Sequence, residues 1–245
     1  MARMEQTPVY RAQPGHRAVE IAAIGLFIGL ALPLLVRLTL WAPHHPWLAL
    51  GAFIGSLVFA DMLSGIVHWA ADTWGDFKTP VLGPSFIQPF REHHADEKAI
   101  TRHDFVETNG NNCTASLWVL IVAWYLPESP EEGWAYFVES FLTGTALWIF
   151  ATNQIHKWAH MDRPPIYVRV LQKLRLILPP QHHSLHHSAP YAVNYCITTG
   201  WMNRPLHAIG FFTKMEWLIS KLTGLKPRVD DLRLIELPTV TEKPL

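Results

Sequence analysis

Four apolar runs organise the chain. The first, Val19–Trp41, is almost wholly apolar and matches the roughly 20 residues a helix needs to cross hydrocarbon. The second, Trp47–His68, is broken only by Asp61 and by small residues such as Gly51, Gly55, Ser56, Ser64 and Gly65, which permit close helix packing. A third run, Cys113–Leu126, is short for a span and draws Asn111 and Asn112 into the membrane interface. The fourth, Gly133–Ile155, carries Glu139 as its only charge. Residues 165–178, PIYVRVLQKLRLIL, place Val168, Leu171, Leu174, Ile177 and Leu178 on one stripe, which predicts an interfacial amphipathic helix. From about Arg204 the pattern is mixed and carries no strong motif. The expected fold class is therefore all-α: an integral membrane protein of about four transmembrane helices plus interfacial helices. It divides into an N-terminal segment 1–18, a membrane domain 19–227 and a tail 228–245. The polar start and the absence of a cleavage pattern after the first run predict a retained N-terminus rather than a signal peptide.

Composition agrees with this reading: 49% of the residues are hydrophobic and only 16% charged. Lys+Arg and Asp+Glu stand at 20 each, so no net field steers the molecule toward nucleic acid. Cys113 and Cys196 stand far apart without CxxC spacing and support neither a disulfide framework nor a zinc ribbon. Charge placement orients the spans, because Lys and Arg accumulate on the cytoplasmic side. Three lie in residues 1–18, four in 69–112 and twelve in 156–245, while the two expected outer loops have none. Both termini are then cytoplasmic. The remaining cation, Arg37, and Glu139 lie at comparable depth near the outer end, either paired or each reaching the interface separately. A compact chain without a retention signal is expected in a bacterial inner membrane rather than the endoplasmic reticulum.

That topology also sorts the 14 histidines. His44 and His45 fall outside, and the other twelve fall at the inner boundary or within the cytoplasmic segments, ten of them in compact motifs. His156 and His160 in NQIHKWAH are four apart, which puts both imidazoles on one helix face. In PPQHHSLHHSAP, Pro180 suits a helix start and Pro190 an end, so His183, His186 and His187 project together. His182 either ligates or orients a ligand. The second span ends with His68 and Asp72 four apart and Asp61 seven residues before His68 on the same stripe. REHH adds His93 and His94, and TRHDFVETNG adds His103.

A lone histidine is more often structural, but ten brought to one membrane face point to metal. One catalytic zinc needs about three protein ligands and a structural zinc four, so ten imidazoles exceed either demand. Nitrogen-rich ligation suits iron, and a diiron pair uses the supply. Two adjacent irons supply what O2 needs to break an unactivated C–H bond, and the membrane position makes that bond a lipid's. Haem is less favoured, since bis-histidine haem sites lie between helices within the membrane. A metal transporter would place ligands along a path at mid-membrane, where only Asp61 is obviously deep.

The strings HWAADTWG, PFREHHADEKAITRHDFVETNGNNC, NQIHKWAH and QHHSLHH, with NYCITTGWMNRPL, resemble the plasmanylethanolamine desaturase family, also called Kua or CarF-like, from about Asp61 to Pro227. The resemblance implies a desaturase that removes two hydrogens from the 1-O-alkyl chain of an ether phospholipid, giving the vinyl ether of a plasmalogen. It implies two iron ions, O2 as co-substrate and electrons from cytochrome b5 or a ferredoxin-like donor protein. The family's histidine motifs fall on His68, His93, His94, His103, His156, His160, His183, His186 and His187, with His182 next in line. Asp72 is either a ligand or an acceptor that fixes an imidazole. HxxxH follows the EHH element here, whereas in acyl-CoA desaturases it comes first. A related plastid branch acts on the acyl chain of phosphatidylglycerol, and the REHH and TRHDFVETNG strings favour the ether-lipid branch. Asn153 and Asn194 are expected in exposed capping positions or in water-mediated contacts near the metals. Lys157, Arg163, Arg169, Lys173 and Arg175 are expected to orient the chain, or to hold a headgroup or an acidic donor.

Overall fold

A computed structural model of the protein describes residues 14–75, 79–80, 82–126 and 132–227. The tail 228–245 and most of the segment 1–18 lie outside the described residues. Every regular element among those residues is helical, and two helices, Gly15–His44 and Pro46–Thr73, are long and apolar enough to cross a membrane. The chain divides into two compact units, Met1–Leu57 with Ala99–Lys157 and Val58–Lys98 with Trp158–Leu245.

In the first unit α1 (Pro14–Trp41) packs against a later helix running Phe105–Trp124. Ala23, Phe27, Ala31 and Leu34 recur at helical spacing along one face of α1 and bury against Cys113, Leu120, Ala123 and Ala146. The opposite face exposes Val19, Leu26, Ile28, Leu32 and Val36. A helix apolar on all sides is suited to lipid rather than water. Arg37 Nε donates to Glu139 Oε1 at 2.9 Å, and Nη2 also donates to Glu139 Oε1. The two charges are paired, which removes the cost of leaving either one alone.

α2 (Pro46–Thr73) gives its part up to Leu57 to the first unit and the remainder to the second. α3 (Gln88–Ala95) belongs to the second unit, and α4 (Ala99–Arg102) and α5 (Phe105–Trp124) to the first. α5 begins eight residues before the apolar run that predicted it, and Asp104 explains the difference. Its backbone is extended, its carboxylate accepts from the Glu107 N–H at 3.0 Å, and this caps the helix N-terminus. The polar stretch that reads as a loop is the inside of a helix. Asn153 of α6 (Gly133–His160) donates to the Asn112 side chain at 3.0 Å and to Thr108 O at 3.2 Å, while Asn112 donates to Ile149 O at 2.7 Å. Asn153 is thus a bridge between helices rather than an exposed cap. A Cβ at Gly110 would stand 3.1 Å from Glu20 Cα, so glycine is what lets α1 come this close to α5.

The second unit holds the end of α2, a π-helical turn Gly83–Ile87, α3, the last turn of α6 and four short helices. The helix expected over 165–178 is shorter: α7 spans Ile166–Lys173. Arg175 takes a left-handed φ of 57°, its N–H bonds to Gln172 O at 3.0 Å, and Leu176 N–H bonds to Leu171 O at 3.0 Å. That double bond is a Schellman stop, here without the usual glycine. The expected single stripe is divided as a result: Leu174 is exposed, whereas Val168, Ile177 and Leu178 are buried.

α8 (Pro180–His183) is also shorter than the Pro180–Pro190 helix expected. Beyond it the backbone tightens, with His186 N–H bonding to His183 O at 2.9 Å in a three-residue step. α9 (Asn203–Ala208) and α10 (Phe211–Thr223) follow. The pattern after Arg204 gave no motif for α10, but glycines at positive φ, Gly210 and Gly224, bound it on either side. Trp217, Leu218 and Leu222 of α10 are exposed, and Lys221 lies over the Trp217 ring at 4.8 Å.

Candidate metal centre

The site is rooted where α2 ends. Helix C-termini leave carbonyls without partners, and buried Arg91 supplies donors to Ala71 O at 3.2 Å, Trp74 O at 3.0 Å and Gly75 O at 2.9 Å. A cation at this end also meets the negative pole of the helix. Arg91 therefore ties α3 to the last turn of α2, the turn that carries Asp72. Two residues further along α3 come His93 and His94. Neighbours on a helix point about 100° apart, so these two imidazoles enter different groups.

In the first group the ligand nitrogens of His93, His160, His183 and His187 lie within 4.8 Å of one another. His93 Nε2 and His160 Nε2 are 2.9 Å apart, and His183 Nε2 and His187 Nε2 are 3.0 Å apart. His156 stands one turn before His160 on the same continuous helix and is buried. In the second group Asp72 Oδ2 lies 3.4 Å from His68 Nε2, 3.5 Å from His186 Nε2 and 3.6 Å from His94 Nε2. His94 Nε2 and His186 Nε2 are 2.9 Å apart. The two groups adjoin, with ring centroids 5.3 Å apart for His94 and His187 and 5.6 Å for His183 and His186.

These separations suit a metal. Two imidazole nitrogens each about 2.1 Å from one ion, at a right angle, stand about 3.0 Å apart, which is the spacing of the three nitrogen pairs just given. The donor set fits as well. His68 Nδ1–H donates to Tyr195 O at 3.1 Å and His186 Nδ1–H to Val193 O at 2.8 Å. A carbonyl can only accept, so each Nδ1 carries the proton and each Nε2 turns its lone pair to the group. Burial, helped by the neighbouring His186 and His160, pushes His187 down to about 2. It is therefore neutral at pH 7, the form that ligates.

Two expected histidines lie elsewhere. His103 sits in the turn between α4 and α5, in the first unit, with Nε2 3.7 Å from Glu107 Oε1. His182 Nε2 accepts from Asn203 Nδ2 at 2.9 Å, and Asn194 Nδ2 donates to His182 O at 3.4 Å. Neither belongs to a metal-holding group among the described residues. Asp72, left open between two roles, has an oxygen directed at three imidazoles. Tyr195 and Val193 carry no side-chain signal that reasoning from sequence could use, because both act through main-chain carbonyls. Arg91 stood inside REHH with nothing to mark it as a cap.

Residues 57–230 match the family model described as a lipid desaturase domain. The chain is 55% identical to the plasmanylethanolamine desaturase of Myxococcus xanthus over 89% of its own length and 77% of that protein's. It is 47% identical to plasmanylethanolamine desaturase 1 of Mus musculus, covering 90% of this chain and 83% of the mouse protein. With the chloroplastic fatty acid desaturase 4 of Arabidopsis thaliana it shares 36% identity, over 74% of this chain and 54% of that one. No solved structure matches it. Both ligand groups fall inside the matched span, and the chain belongs to the lipid desaturase family.

Proposed function

We propose that this protein is a plasmanylethanolamine desaturase, converting the 1-O-alkyl chain of an ethanolamine ether phospholipid into the vinyl ether of a plasmalogen. The observation that carries the reading is the pair of adjoining ligand groups in a chain 55% identical to a relative named for that reaction. His93, His156, His160, His183 and His187 would hold one iron, and His68, Asp72, His94 and His186 would hold the other. When bound, the two irons supply the O2 chemistry that breaks an unactivated C–H bond. The balance is two hydrogens lost from adjacent alkyl carbons, two electrons drawn from cytochrome b5 or a ferredoxin-like donor, two protons taken up from solvent, and one O2 reduced to two waters.

The chain's own residues prepare that chemistry. Tyr195 O and Val193 O keep the protons of His68 and His186 on Nδ1. Burial of His68, His183 and His186 keeps bulk water from the reacting centre. α1, α2, α5 and α6 cross the membrane with both termini and the histidine cluster on the cytoplasmic side of a bacterial inner membrane. α7 and α10, with exposed Tyr167, Val170, Leu174, Trp217 and Leu222 beside Arg169, Lys173 and Lys221, rest in its interface. There they bring the alkyl chain to the level of the metals. Arg163 and Arg175, also exposed, add to the positive charge that faces phospholipid headgroups or an acidic donor.

The test is aldehyde release. Vinyl ethers are acid-labile and liberate a fatty aldehyde, so cells expressing the chain and fed alkyl-ether lipid should yield aldehyde on acid treatment, and cells expressing His186→Ala should not. A new double bond in an acyl chain with no aldehyde would overturn the substrate assignment in favour of the reaction named for the Arabidopsis relatives.

A further inference from the structure

Residues 193–203 contribute no ligand to either group, yet this strap touches three histidines. The carbonyls of Val193 and Tyr195 accept from His186 and His68, and Asn203 donates to His182. What holds the strap is Asp61. It is fully buried, and its Oδ1 accepts from the main-chain N–H of Thr198 at 3.1 Å, Thr199 at 2.7 Å and Gly200 at 2.9 Å, while Oδ2 accepts from Met202 at 2.9 Å. Four amides converging on one carboxylate make charge-assisted bonds, stronger than neutral ones. A φ of +78° at Gly200 lets successive amides turn toward the same oxygen.

The strap then follows α2. Ser64 Oγ accepts from Ile197 N–H at 3.0 Å. At Gly65 an added Cβ would stand 3.2 Å from Cys196 N and 3.3 Å from its Cα, so main chain lies against main chain. Asn203 closes the turn, its Oδ1 accepting from Cys196 N–H at 2.8 Å and its Nδ2 donating to Cys196 O at 3.0 Å. Positions 61, 64, 65 and 68 form one stripe of a helix. Its first three members grip the strap and the fourth is a ligand of the second group.

We infer that Asp61 is a positioning residue for the second metal group. By clamping 198–202 it fixes the strap's register along α2, and so sets where Tyr195 O and Val193 O meet His68 Nδ1 and His186 Nδ1. Those two bonds decide which nitrogen of each ring is bare and where it points. Both of those carbonyl bonds end on ligands of the second group, so the clamp acts first on that group's ion. The inference rests on the two-ion reading above and extends it.

The experiment titrates cobalt(II) alone into chelator-stripped, detergent-solubilised full-length protein, following visible absorption and metal per chain. Wild type is expected to take two ions. Asp61→Asn keeps the shape but turns an amide toward the Met202 N–H. It should bind one ion as wild type does and the other about 10- to 100-fold more weakly, the range for losing an interaction that orients a ligand. Gly65→Ala displaces the strap without touching a charge and should show the same selective loss, which keeps the inference testable if Asp61→Asn does not fold. The weakened ion should be the one lost in His68→Ala. Folded variants that hold both ions as wild type does, or that weaken both alike, overturn the positioning role. Fewer than two ions in wild type defeats the two-ion reading itself, whereas two in wild type with unselective variants defeats this inference alone.

Discussion

Replacing Arg91 with methionine should loosen the root of the site without removing a ligand. Three bonds that it donates to carbonyls at the end of α2 run at 2.9–3.2 Å. Bonds from a charged donor contribute about 1.5–3 kcal/mol each, so these three are together worth at most about 9 kcal/mol. Much of that is recovered, because Trp74 is half-buried and Gly75 exposed, so water replaces the donor at two of the carbonyls. Only Ala71 is fully buried, and its orphaned acceptor brings the net cost to about 3 kcal/mol. A chain of this size shifts its melting temperature by about 2–4 °C per kcal/mol, so a fall of about 6–12 °C is expected. Arg91→Lys should recover less than half of it, since an ammonium cannot reproduce the planar fork. Thermal unfolding of the detergent-solubilised proteins measures the shift, and metal content measured in parallel reports on His93 and His94. An Arg91→Met protein that melts within about 2 °C of wild type and keeps its metal would refute the argument that this side chain ties α3 to α2.

His160→Ala and His183→Ala should abolish aldehyde release while leaving membrane insertion intact, because each removes a buried imidazole from the first group. His45→Ala, whose ring packs on Tyr136 at 5.1 Å in the other unit, should leave activity unchanged. The Asp104 carboxyl is held below the usual carboxylate range, first by its hydrogen bond from Arg17 and then by the Glu107 amide at the helix N-terminus. A depressed value means that its stabilising contribution is complete above the ordinary aspartate value and is lost as pH falls through the folded one. Wild type should therefore melt above Asp104→Asn at pH 7, and the gap should close in acid. A gap constant with pH would show that the carboxylate charge is not what stabilises α5.

Much of the site is local, and local features are legible in a sequence. His156 and His160, or His68 and Asp72, share a face because helix geometry puts residues four apart together, whatever else the chain does. Apolar length likewise located α1 and α2, since crossing hydrocarbon is a matter of rise per residue. Element ends were less legible. α5 starts at Phe105 and α7 stops at Lys173 because of an aspartate cap and a left-handed arginine, and neither changes the apolar pattern.

Assignment of ligands to groups needed the tertiary structure. His93 and His94 are neighbours in sequence, yet one faces His160 and the other His186; His103, in an equally suggestive motif, is turned to Glu107. Which imidazoles meet depends on contacts far apart in the chain, such as Arg91 on the α2 carbonyls and Asp61 on the amides of 198–202. Composition and spacing thus determined a helical, membrane-suited, histidine-rich chain, because those properties add up residue by residue. Only the folded chain decided which nitrogens converge, because convergence is a relation between segments that sequence order does not contain.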